Sequence, residues 1–317
     1  MQYRTLGSTG LSVSEIGFGA WGIGGLSEGA SSYGPTNDKE SEAALQLAFE
    51  RGITFYDTAD IYGNGHSEEL IGRVFKPVRD KVVIATKVGF LGHNKPHDFS
   101  ETHIRSSLEG SLGRLQTDYV DLYQLHSPPI EILQKEPEIM DIFKELQEEG
   151  KIRACGISVK HPKDGLIAVN EFGIKSVQVN FSMIDQRALD CGLLDLALEK
   201  NVGIIVRTPF NFGFLTGKLE GKIFDSRDHR SSWSEEQRKR WTEAPKLFAN
   251  LNWDKKRSLA QLALKFCLNF QAVSSVIPGM LIRWQVDENV SANGLKDLSA
   301  DEVNEIRKVY RNNIFFG

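Results

Sequence analysis

The chain has 317 residues, of which 40% are hydrophobic and 25% charged, a balance that supplies a globular core and excludes a wholly disordered protein. Its 38 basic and 42 acidic residues leave a net charge of −4, which favours neither a nucleic-acid nor an anionic-membrane partner. No apolar run approaches the ~20 residues needed to span a bilayer, and the start, Met1-Gln-Tyr-Arg-Thr-Leu-Gly7, has no apolar signal core, so a cytoplasmic location is expected.

The first strand-like run is 14–18, followed by a Gly- and Ser-rich stretch over 22–38. An amphipathic segment at 40–51 reads as a helix, with Asn37 or Asp38 at its start and Gly52 at its end. Strands follow at 53–56 and 81–86, then a helix that Ser100 can cap, running to about Gln116. After a strand at 119–125, the helix 139–149 stops at Gly150, and strands follow at 151–157 and 176–180. A helix at 187–200 precedes the strand 202–206, and a long polar stretch covers 218–257. The helix 258–270 precedes an eighth strand at 272–277, and Ser299-Ala-Asp-Glu302 is a capping box for a last helix toward Val309.

Most of the strand runs are almost continuously apolar, as strands buried on both faces are. Eight strands alternating with helices predict an α/β protein: a (β/α)8 TIM barrel forming one domain over 1–317, with a long loop after strand 7 and a C-terminal helix. An open doubly wound sheet is the structural alternative. Both long polar stretches follow strands, so in a barrel they lie at the active face. The three cysteines, Cys155, Cys191 and Cys267, are few and far apart and read as free thiols of a reducing compartment.

Gly17-Phe-Gly19-Ala-Trp-Gly22 fits G-x-G-x-x-G, but the dinucleotide fingerprint needs a helix opening at the motif. Here Ile23-Gly-Gly-Leu-Ser follows, a poor helix start, so the motif reads as a flexible turn after a strand. The sequence has no Walker A, H-E-x-x-H or C-x-x-C motif, and no metal site is expected.

The stronger signal is the polar residue at successive strand ends: Asp57, Lys87, His126, Ser158, Asn180 and Arg207. Each alone could be a turn former, but in a barrel together they ring the C-terminal mouth. Tyr62 follows Asp57 by five residues. A phenol, with an ordinary pKa of about 10, is a poor acid at neutral pH, and a nearby ammonium favours its phenolate. Lys87 can supply that charge, Asp57 can hold Lys87, and His126 can donate to a carbonyl oxygen as negative charge develops there. These groups donate a proton but include no activated nucleophile, so a hydride must come from a cofactor.

These residues lie in segments that resemble the aldo-keto reductase superfamily along nearly the whole chain: Gly52-Ile-Thr-Phe-Tyr-Asp57-Thr-Ala-Asp-Ile-Tyr62-Gly, Ala85-Thr-Lys87, Asp118-Tyr-Val-Asp-Leu-Tyr-Gln-Leu-His126, Gly156-Ile-Ser158, Phe214-Leu-Thr-Gly-Lys218 and Val276-Ile-Pro-Gly279. The resemblance implies a (β/α)8 barrel that binds NADPH (or NADP+) across its mouth, reduces a small carbonyl substrate, and uses Asp57, Tyr62, Lys87 and His126 as its catalytic tetrad. It implies that Ser158 and Gln178 hold the nicotinamide carboxamide, with Gly19, Ala20 and Trp21 beside it. Leu215, Gly217 and Lys218 then contact the pyrophosphate, and Gln285, Glu288 and Asn289 the adenosine end beyond Gly279.

The chain departs from the common pattern in three places. Val159 stands where many members have Asn, and Arg207 begins the segment where many have an aromatic stacked on the nicotinamide. Leu281 takes the place of a base near the 2′-phosphate, leaving Arg283 as the nearest one and NADH as a possible cofactor. The same fold also allows a regulatory NADP(H)-binding subunit, like the β-subunits of potassium channels, or a sugar-directed reductase using Asp228, His229, Arg230 and Trp233 of the long loop. The sequence does not disclose the substrate or the oligomeric state.

Overall fold

The computed structural model describes residues 1–27, 32–93, 95–251 and 257–316; parts of both long polar stretches, 28–31 and 252–256, lie outside the described residues. The chain opens with an antiparallel hairpin, β1 (Tyr3–Thr5) and β2 (Ser12–Ser14). The barrel strands follow: β3 (Phe18–Gly19), β4 (Phe55–Asp57), β5 (Val83–Val88), β6 (Val120–His126), β7 (Ile152–Ser158), β8 (Ser176–Asn180), β9 (Gly203–Arg207) and β10 (Val273–Val276). Among the described residues these eight form one sheet, parallel throughout and in chain order. Parallel bridges from Ile16 to Val276 and from Gly19 to Gly279 join its first and last strands and close the (β/α)8 cylinder.

The expected first strand, 14–18, is corrected. Ser14 ends the hairpin, Ile16 makes only a single bridge to Val276, and the regular barrel strand begins at Phe18; Ser14 is turned aside, its hydroxyl donating to the Ile16 carbonyl at 2.7 Å and its N–H to Thr54 Oγ1 at 3.2 Å.

The strands are apolar on both faces because both are buried. Phe55, Ala85, Leu122, Ala154 and Ile205 pack inside the barrel against Leu6, Leu11 and Val13 of the hairpin. Their neighbours Tyr56, Ile84, Tyr123 and Ile204 belong to the outer core under the helices. The hairpin thus plugs one end of the barrel. Gly7 allows this approach: at φ +51°, a Cβ there would lie 2.2 Å from the Gly203 nitrogen.

Around the barrel run α1 (Asp38–Glu50), α2 (His66–Phe75), α3 (Glu101–Leu115), α4 (Ile130–Lys135), α5 (Ile139–Glu148), α6 (Pro162–Phe172), α7 (Arg187–Asp190), α8 (Leu193–Glu199), α9 (Glu235–Ala249), α10 (Leu259–Leu268), α11 (Arg283–Ser291) and α12 (Ala300–Arg311). Asn37, not Asp38, caps α1, accepting from the N–H groups of Lys39 and Glu40. Ser100 caps α3, and the Ser299–Glu302 box opens α12. The expected helix 187–200 is broken in two by Gly192, which takes φ +83°. The polar stretch 218–257 is not loop throughout: α9, capped by Ser234, buries Trp241, Ala244 and Phe248 on one face. Its charged opening, Glu235-Glu-Gln-Arg-Lys-Arg240, hides that spacing in the sequence. No helix of the described residues is long and apolar enough to cross a membrane.

Candidate active site

The C-terminal strand ends open into a cavity of about 1050 Å³. Asp57, Tyr62 and His126 line it, while Lys87 is fully buried beneath them. Parallel pairing sets Lys87 beside Gln124 and His126 beside Ser158, so these side chains emerge at neighbouring levels of the barrel.

Lys87 organises the floor. Its Nζ donates to Asp57 Oδ1 at 2.6 Å, to the Thr58 carbonyl at 2.6 Å and to Tyr62 Oη at 3.3 Å. Burial by itself would lower the pKa of this amine, but the Asp57 and Tyr62 oxygens outweigh it and hold the pKa above its ordinary value. Lys87 is therefore an ammonium. Asp57 is anchored on its other oxygen, Oδ2, which accepts from Gln178 Nε2 at 2.7 Å and Gln124 Nε2 at 3.1 Å.

The Tyr62 ring stands nearly perpendicular to that of His126, with centroids 5.9 Å apart. Burial, then the charges of Lys87 and Arg207, push His126 well below the usual imidazole range. It is neutral near pH 7, and its buried Nδ1 has no hydrogen-bond partner. The floor thus combines a phenol beside an ammonium with a neutral imidazole, a set that can protonate an oxygen and hydrogen-bond to it.

The other expected site residues divide into two groups, with Arg283 outside both. Gly19, Trp21, Gln178, Arg207, Lys218, Gly279, Gln285, Glu288 and Asn289 line the same cavity. Ala20, Ser158 and Leu215 are buried behind its wall, and Gly217 turns the backbone there at φ +72°. Arg283 stands apart, mostly exposed at the start of α11 and 3.9 Å from Glu40. Lys218 Nζ donates to Glu288 Oε2 at 2.7 Å and lies 4.0 Å from the Trp284 ring centre. Arg207 donates from Nη2 to the Val159 carbonyl at 3.0 Å, while its buried Nε is unpaired. Two departures from the family pattern are therefore in contact.

Sequence reasoning missed Gln124, the Thr58 carbonyl and the aromatic wall of Tyr33, Phe90 and Phe212. Gln124 was findable, since it lies two residues before His126 and so on the same strand face. The wall was not, because it is assembled from three separate loops.

A second, partly buried histidine, His229 on the loop after β9, is pushed down to about 4, chiefly by burial. His126 and His229 both charge more readily in the unfolded chain, where the ordinary value is about 6.5, so their contributions are complete above that pH and are lost as pH falls below it. Asp60 acts oppositely: burial raises it to about 6, so it adds stability as pH falls through 6. Replacing His229 by Gln should remove one acid-labile contribution. Urea unfolding should then show a loss between pH 7 and pH 5 smaller than wild type by about 1–2 kcal/mol. Equal losses in both proteins would contradict the assignment.

The Aldo/keto reductase family matches residues 15–311. The chain is 31% identical to the uncharacterized oxidoreductase YqkF of Bacillus subtilis (strain 168) over 321 residues, covering 99% of this chain and 98% of that protein. It is 32% identical to the L-glyceraldehyde 3-phosphate reductase of Escherichia coli (strain K12), covering 96% and 91%. Among solved structures, aldo-keto reductase AKR11C1 from Bacillus halodurans in its holo form matches with a TM-score of 0.80 at 31% identity, over 98% of this chain and 96% of that one. With the barrel mouth holding these strand-end side chains in one cavity, the chain belongs to the aldo/keto reductase family and is an oxidoreductase.

Proposed function

We propose that the protein reduces an aldehyde or ketone to an alcohol with NADPH, Tyr62 delivering the proton. The observation that carries this reading is the Tyr62 oxygen, 3.3 Å from an ammonium that Asp57 and the Thr58 carbonyl hold in place. As the proton leaves Oη for the carbonyl oxygen, Lys87 stabilises the phenolate left behind. A neutral His126 donates to the same oxygen as charge builds on it. Asp57 keeps Lys87 in position, and Gln124 and Gln178 keep Asp57 there.

The cavity fits a dinucleotide. Its volume is at the upper end of the ~300–1,000 Å³ usual for ligand sites. It extends from Tyr62 to Lys218 and α11, and a Cβ at Gly279 would meet no atom within 4 Å. Gln178 and Ser158 would hold the nicotinamide, Lys218 the phosphates, and Gln285, Glu288 and Asn289 the adenosine. Bound there, the reduced cofactor supplies a hydride. Three unpaired thiols support a reducing, cytoplasmic setting. The test is NADPH consumption against a panel of aldehydes and ketones; protein that binds NADPH yet turns over no carbonyl would refute the reading.

Two residues should tune the cofactor. Arg207 presents a partly buried cation to the cavity, with no carboxylate within 4 Å among the described residues, so it disfavours the cationic oxidised ring. Fluorescence titration of Arg207→Ala should show the preference for NADPH over NADP+ falling about tenfold, or ~1.4 kcal/mol. Equal loss of affinity for both forms would exclude this role. Arg283→Ala should weaken NADPH more than NADH, and unchanged discrimination would place the 2′-phosphate elsewhere.

A further inference from the structure

The loop after β9 lines the cavity and meets the loop after β3 at His229. The His229 backbone N–H donates to the Ser32 carbonyl at 2.9 Å, and its ring Nδ1 lies 3.0 Å from the same oxygen. A carbonyl only accepts, so Nδ1 carries the proton. With the ring neutral, Nε2 is then a bare acceptor. It is sealed from water and has no hydrogen-bond partner. Four rings surround the imidazole, with centroids 4.7 Å away at Trp21, 5.0 Å at Tyr33 and at Trp233, and 5.3 Å at Phe212.

The neighbouring charges are already committed. Arg230 donates to both Asp228 oxygens, the shortest contact being 2.6 Å, and its guanidinium lies 4.6 Å from the Tyr33 ring centre. A cationic ligand would meet Arg230 there, and a carbonyl or anionic oxygen would face a second acceptor. A neutral hydroxyl is the donor that suits Nε2, with the rings covering its C–H neighbours. His229 lines the same cavity as Tyr62 and His126, and the Phe90 ring of that cavity packs 5.2 Å from His126.

We propose that His229 Nε2 selects the substrate, accepting a hydrogen bond from a hydroxyl that the substrate carries beyond its reacting carbonyl. The enzyme then prefers hydroxy-aldehydes and hydroxy-ketones to their deoxy counterparts. This rests on the reductase reading of the site. To admit the hydroxyl, Trp21 or Tyr33 must turn aside. A site built to bond a substrate hydroxyl discriminates strongly against the analogue lacking it, because its own polar group is then left unpaired.

The experiment measures kcat/KM with NADPH for glyceraldehyde against propanal and for erythrose against butanal, with rates referred to the unhydrated carbonyl. It compares wild type, His229→Phe, which removes the acceptor, and His229→Gln, which restores one. Wild type should prefer the hydroxylated member at least about tenfold, mainly through KM. That ratio should fall to within about threefold in His229→Phe and recover in His229→Gln. A wild-type ratio near one, or an unchanged ratio in His229→Phe, overturns the proposal while the reductase reading stands. NADPH oxidation with none of the four aldehydes overturns the proposal, and the wider aldehyde and ketone panel decides the reductase reading. If His229→Phe does not fold, His229→Leu removes the acceptor in its place and is held to the same outcomes.

Discussion

Tyr62→Phe should lower kcat/KM for carbonyl reduction by about a thousandfold and leave NADPH affinity within about twofold. The substitution removes one oxygen from a position where little else depends on it. Lys87 keeps its bonds to Asp57 Oδ1 and to the Thr58 carbonyl, both at 2.6 Å, so the buried ammonium stays paired. The ring keeps its edge-to-face packing against His126. What disappears is the acid whose conjugate base the ammonium stabilises. Steady-state turnover and fluorescence titration on the same preparation separate the two readouts. More than a tenth of wild-type activity in the variant would move the proton donor to His126 or to water.

Asp57→Ala should cost about 3–5 kcal/mol of stability, because it leaves the fully buried Lys87 cation without its anion. The loss extends beyond one pair. Gln124 and Gln178 both donate to the Asp57 oxygen that Lys87 does not use, so two buried amides lose their acceptor together. Adding Lys87→Met removes the unpaired charge and should recover much of the stability without recovering activity. Urea unfolding of wild type, the single variant and the double variant checks this. A single variant as stable as wild type, or a double variant no more stable than the single, would show that the ion pair does not govern the floor's stability.

The strand-end residues also show how far the sequence carried the site. Asp57, Lys87 and His126 each close an apolar run, and parallel strands in chain order must deliver such residues to one rim. Local chemistry likewise set the caps at Ser100 and Ser299, since a cap needs only its own first turn. The helix α9 was obscured, because Trp241, Ala244 and Phe248 sit among charged neighbours and are buried only by distant contacts such as the Trp241 Nε1 bond to the Phe315 carbonyl at 2.8 Å.

The sequence by itself determined the alternation of strand and helix, the barrel, and the identity of the phenol, ammonium, carboxylate and imidazole, because each rests on periodicity or a local run. Only the tertiary structure decided how they connect. Asp57 meets Gln178 across 121 positions of chain, Arg207 meets the carbonyl of Val159, and Ser32 holds His229 across 197 positions. Such pairings follow from barrel closure and from loops folding over its mouth. They leave no trace in local composition, because neither partner's neighbours constrain the other.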